Sequence, residues 1–310
     1  MSGLAPAQGA RRWMWGAFAL YAAAWIAAAG FLALKQPDDV VDAGVVMAAY
    51  GLILPGLTWL LTRGPKPAPT PVARPGPQLI ALLVFLALYA VLFTGYGLSA
   101  FHAAFPPSRG EFRGLIGLKL AVHVALPVLL LAALGGPLRP LFSGRADRRF
   151  WLLLIVIGVA QLGLMMVISH SLADIAALKF TAPMAGLAVM GTFLWMCLEA
   201  GFCEEFLFRA VLQSRLAAVT GSEMAAVLFG ALLFGLAHAP GLWLRSGTDV
   251  AGHASSLLPA MAYAVAVISP TGILMGVVWA RTRNLWLLVL LHGLTDALPN
   301  AAEFARIWMK

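Results

Sequence analysis

Apolar residues along this chain gather into runs of spanning length, broken by short polar or proline-rich segments. A helix needs about 20 such residues to cross the hydrocarbon core of a bilayer. The pattern predicts helices near 13–34, 41–61, 78–100, 115–134, 150–169, 184–203, 222–239, 257–280 and 284–300, the sixth running on toward 219. The expected fold class is therefore all-α: a polytopic transmembrane helix bundle of about eight or nine membrane helices. The first run, Trp13 to Leu34, is longer than the core of a cleaved signal peptide and reads as a retained spanning helix. Residues 64–77 carry alternate prolines, favour extended backbone and separate a two-helix N-terminal hairpin from the rest. Pro106-Pro107 and Gly135-Gly136-Pro137 mark further breaks.

Composition strengthens this picture. The 310 residues are 61% hydrophobic and 11% charged, with mean hydropathy +0.88. A soluble domain is nearer half apolar. The net charge of +8 is spread over short loops, which excludes a nucleic-acid patch and suits contact with lipid headgroups. Arg11, Arg12, Arg63, Lys66, Arg74, Arg139, Arg145, Arg148, Arg149, Arg281 and Arg283 all fall on one side of an alternating topology. The positive-inside rule makes that side, and the N-terminus, cytoplasmic. Arg109, Arg113 and Lys119 depart from the pattern. Cys197 and Cys203 lie six apart on one expected helix, which suits neither a disulfide nor a zinc framework. His102, His123, His170 and His253 read as ordinary solvated or hydrogen-bonded histidines.

Against so apolar a background, the stretch Glu199 to Arg209 stands out, with Glu199, Glu204, Glu205 and Arg209 in eleven residues. Ionisable groups at bilayer depth are costly and usually face a bundle interior or a wet cavity. Glu205 and Arg209 are four apart on a helix and share a face, which predicts an ion pair. Glu204 points about 100° away and is left for other work. The turn Thr220-Gly221-Ser222 lies 16 residues after Glu204 and 16 before His238. A helical hairpin folded there brings both to one depth, roughly 24 Å from the turn at 1.5 Å per residue. His292 and Asp296, again four apart, share a face of the last helix. A carboxylate beside an imidazole can take a proton from water, and a second imidazole can donate to an oxyanion. The same residue types also serve as zinc ligands, although the H-E-x-x-H motif is missing.

The three segments, E-E-x-x-x-R at 204–209, F-x-x-x-H at 234–238 and H-x-x-x-D at 292–296, resemble the motifs of the CAAX-protease and bacteriocin-processing (CPBP, or Abi) family, related to type II CAAX prenyl endopeptidases. The resemblance covers about residues 184–300. It implies an intramembrane glutamic-type endopeptidase that cuts a membrane-anchored protein near its C-terminus. It makes Glu204 the general base with His238 holding the water, and His292 with Asp296 the oxyanion stabilisers; Glu205 and Arg209 are structural or orienting. The family often has asparagine where Asp296 stands, and an ionised aspartate repels an oxyanion, so Asp296 must be protonated, orient His292 or play another part. The resemblance implies no cofactor; zinc is not favoured beside Arg209. The expected partners are a membrane-anchored substrate and the lipid bilayer, in a bacterial inner membrane. The chain then divides into accessory helices at 1–180 and a catalytic membrane core at 181–310. A non-catalytic binding or immunity protein on the same fold, or a proton-coupled transporter, is the alternative; inverted repeats would favour the transporter and none is evident.

Overall fold

A computed structural model describes residues 8–142, 144–244 and 252–309. Among them nine helices are long and apolar enough to cross a membrane: α1 (Gln8–Lys35), α2 (Pro37–Leu61), α3 (Pro75–Ala104), α4 (Arg109–Ala133), α5 (Arg148–Ile168), α6 (Ala182–Thr220), α7 (Glu223–Leu244), α8 (Leu257–Thr282) and α9 (Leu285–Trp308). No strand occurs among the described residues. The chain is an all-α integral membrane protein.

The helices match the apolar runs, with differences at the ends. α3 begins at Pro75, inside the proline-rich stretch expected to stay extended. Proline is tolerated in a first turn because the amide it lacks has no intrahelical partner there. α7 continues through Pro240 to Leu244, beyond the end expected at 239, and α9, which contains Pro299, runs to Trp308, beyond the end expected at 300. Packed neighbours in a bundle can re-satisfy the backbone groups that such prolines free. The long sixth helix is a single element, as the run toward 219 suggested. A short helix, Ser171–Ala177, precedes it and went unread in the sequence.

α7, α8 and α9 are the innermost spans: 61, 72 and 61% of their apolar windows are buried, against at most 33% for any other helix. α6 packs along α9, α7 packs between α8 and α3, and α5 closes the far side of α9. The N-terminal hairpin is not detached: α1 rests on α7 and the start of α8, and α2 on α8. Trp15, Ile26, Leu52, Val159 and Leu187 project outward from the peripheral helices. A chain in water hides such groups, whereas one in lipid presents them.

End contacts fix which connections lie together. Asn284 donates to the Arg145 carbonyl, Arg281 to Thr62, Arg149 to the Pro65 carbonyl, and Arg283 pairs with Glu223. The basic connections read in the sequence therefore meet at one end of the bundle. At the opposite end Arg109 donates to the carbonyls of Ile307 and Trp308.

Candidate active site

The site forms where α6 crosses α9. At Gly201 an added Cβ would fall 2.6 Å from the Val289 carbonyl oxygen, and at Gly293 it would fall 3.1 Å from the Cys197 backbone nitrogen. Only glycine lets the two backbones approach so closely, a contact typical of membrane helix pairs. One turn of α6, Cys203–Glu205, lies between two wider π segments, Cys197–Phe202 and Phe206–Gln213. The wide turns change the phase of the side chains on either side of the paired glutamates.

Glu205 is fully buried. Its Oε2 lies 3.2 Å from Arg209 Nε, and its Oε1 lies 2.6 Å from His292 Nδ1. Glu205 therefore bridges two helices, and the expected ion pair is half of its role. The Arg209 guanidinium also lies over the Phe234 ring at 4.3 Å. Phe234 meets His238 edge-on at 4.8 Å between centroids and His292 at 6.5 Å. The phenylalanine of the F-x-x-x-H segment is thus the apolar wedge that spaces the arginine from the two imidazoles.

Glu204 turns the other way. Its Oε2 is 3.9 Å from His238 Nε2 and 3.8 Å from His292 Nε2. Both distances are too long for a direct hydrogen bond and suit one water shared among the three groups. The His238 Nδ1–H donates to the Phe234 carbonyl at 2.8 Å, so Nε2 is left to accept from that water. His292 meets carboxylate oxygens on both nitrogens, with Asp296 Oδ2 3.3 Å from Nε2. A hydrogen therefore stands in both contacts, borne by the ring or by a carboxyl. The Asp296 side chain is 30% exposed and the His238 side chain 31%, so the cluster is open to water.

Further residues, Lys119 and Glu199 with Trp195, His123 and Tyr89 behind them, complete the cluster and were not assigned to it from sequence. Lys119, on α4, places Nζ 3.7 Å from Glu204 Oε1 and 3.1 Å from Glu199 Oε1. Trp195 Nε1–H holds the other Glu199 oxygen at 2.7 Å. His123 is fully buried behind Lys119; its Nδ1–H donates to the Lys119 carbonyl and its Nε2 accepts from the Tyr89 hydroxyl. His102 pairs with Glu111 at 3.1 Å. A cavity of about 100 Å³ opens beside Glu204, lined also by Lys119 and His238 and by the apolar Phe93, Leu98 and Leu242.

Among the described residues no group of three His, Cys, Asp or Glu side chains is arranged to hold a metal ion. The Lys119 ammonium also stands against Glu204 on the side away from the imidazoles. This donor set does not fit a bound dication.

Residues 185–298 match the family described as type II CAAX prenyl endopeptidase Rce1-like. The chain carries an Rce1-like domain. No curated protein and no solved structure matches it. The Rce1-like domain includes Glu199, Glu204, Glu205, Arg209, His238, His292 and Asp296, and its limits agree with the 184–300 stretch carrying the three motifs. Lys119 and Tyr89 lie outside it, on α4 and α3.

Proposed function

We propose that this protein is an intramembrane glutamic-type endopeptidase that hydrolyses a peptide bond of a membrane-anchored protein near its C-terminus. The observation that carries the reading is the placement of Glu204 Oε2 within 3.9 Å of both His238 Nε2 and His292 Nε2. The Rce1-like match supports the reaction class.

In this mechanism a water lies between Glu204 and His238. Glu204 takes one of its protons while His238 Nε2 accepts the other hydrogen in a hydrogen bond. The water oxygen bonds to the carbonyl carbon, and the π electrons of the carbonyl move onto its oxygen. His292 Nε2–H donates to that oxyanion. When the tetrahedral intermediate collapses, the C–N bond breaks and the amine leaves with the proton held by Glu204. Glu205 keeps the His292 ring in place through Nδ1, and Arg209 balances the Glu205 charge. Asp296 acts through His292, holding a hydrogen at Nε2 in the resting site, rather than as a donor of its own. Lys119 fixes the Glu204 carboxylate from the side opposite the water. No step passes through a metal.

The helices at 1–180 are proposed as an accessory layer and those at 181–310 as the catalytic core, with Lys119 the point at which the first enters the second. We place the protein in a bacterial inner membrane; its N-terminus is proposed as cytoplasmic on the strength of the basic connections gathered at one end. The test is proteomic. Membrane proteins co-expressed with the intact chain should yield new C-termini that disappear when the chain carries Glu204→Gln. Identical termini in both cultures would remove the protease reading.

A further inference from the structure

The end of the bundle away from the site holds a second concavity, of about 350 Å³. Five cations from three separate segments line it: Lys66 from the α2–α3 connection, Arg145 and Arg149 from around the start of α5, and Arg281 and Arg283 from the α8–α9 turn. One acid, Asp147, joins them, and its carboxylate is engaged in capping α5 through the Phe150 amide. Glu223 pairs with Arg283. Among the described residues these five cations and two carboxylates leave an excess of three positive charges.

Membrane topology alone accounts for basic residues in loops on one side. It does not account for their convergence on one cavity. Arg283 has Glu223 and Arg281 has Thr62, so the charges an added anion would balance are those of Lys66, Arg145 and Arg149, which repel each other where they converge. The floor of the cavity adds to the same field. Asn284 and Leu287, at the N-terminus of the 24-residue α9, line it, and a helix N-terminus favours negative charge. The site also sits at the ends of α2, α5, α8 and α9, which is headgroup level for a spanning bundle.

We infer that this cavity binds the phosphate of an anionic phospholipid, with the exposed Lys66, Arg145 and Arg149 on the phosphate oxygens. Guanidinium groups match phosphate oxygens in geometry as well as charge. The inference is independent of the protease reading, because none of these residues belongs to the candidate active site.

The test uses the full chain in nanodiscs of phosphatidylcholine, with and without phosphatidylglycerol, followed by thermal unfolding. A ligand of the folded state raises the midpoint. Phosphatidylglycerol should raise it for the unaltered chain, and a Lys66→Gln, Arg145→Gln, Arg149→Gln triple variant should lose that shift, with lipid binding weakened more than about tenfold. These three side chains are exposed, so the variant should fold, and its midpoint in phosphatidylcholine alone checks this. A control triple, Arg74→Gln, Arg139→Gln and Arg148→Gln, removes equal charge from exposed positions on the same end outside the cavity and should keep the shift. Equal loss in both triples would reduce the effect to general surface charge and overturn the site. Equal midpoints in the two lipids would overturn it as well. An equal shift from inorganic phosphate alone would replace the lipid with a soluble anion and overturn the assignment.

Discussion

Lys119 on α4 and Glu204 on α6 face each other with Nζ 3.7 Å from Oε1, and Glu199 closes the same contact at 3.1 Å. The cation that holds the proposed general base thus comes from outside the Rce1-like domain. Removing it leaves two carboxylates side by side, each about one-tenth exposed. Breaking such a pair from one side costs up to about 3–5 kcal/mol. We predict that Lys119→Met lowers both the unfolding midpoint and the cleavage rate, the rate by at least about tenfold. Adding Glu199→Gln should restore most of the stability but not the rate, whereas Lys119→Arg should keep both. Full recovery of the rate in Lys119→Met/Glu199→Gln would show that Lys119 is only a structural counter-charge.

Glu205 joins Arg209 to His292, so the account expects Glu205→Gln to do two things. It leaves the buried Arg209 guanidinium without its carboxylate, with a cost of roughly 3–5 kcal/mol. It also weakens the hold on His292 Nδ1. The variant should melt early and should turn over slowly even well below its midpoint. A variant as stable as the parent would contradict the assignment of the buried pair.

Activity should survive chelation. A dication at Glu204 would stand beside the Lys119 ammonium, and Arg209 lies just beyond Glu205. Prolonged treatment with a chelator should leave the cleavage rate unchanged. Loss of rate that one equivalent of zinc restores would make Glu204, His238 and His292 ligands instead.

Orientation is open to direct labelling. Single cysteines placed at Arg12 and Thr282, in a chain whose own Cys197 and Cys203 are replaced, should both react only from the cytoplasmic side. Labelling of both from the opposite side would invert the topology.

Much of this arrangement is legible in the sequence because it follows from local periodicity. The spans are long apolar runs, and the Glu205–Arg209 and His292–Asp296 contacts come from four-residue spacing. The meeting of Glu204 with His238 came from counting residues outward from the Thr220–Ser222 turn. Long-range pairing left less trace. Lys119 looked like a stray loop charge, because nothing local links position 119 to position 204; the packing of α4 against α6 makes the contact. The bridge from Glu205 to His292 was hidden for the same reason. It depends on the close crossing at Gly201 and Gly293, whose small size is visible in sequence but whose partners are not. Proline misled at Pro75, where a first turn tolerates a residue that the proline-rich stretch suggested would stay extended.

The central claim is that Glu204 and His238 act on one water, and a double-mutant cycle on the cleavage rate tests it most directly. Glu204→Gln keeps the shape of the side chain and should leave the unfolding midpoint nearly unchanged. Loss of a general base typically costs about 10²–10⁴ in rate. His238→Ala should cost a similar factor, and the double variant should be little slower than either single one, because groups that act as a unit are not additive. Glu204→Gln retaining its rate, or the two losses multiplying in the double variant, would contradict the account.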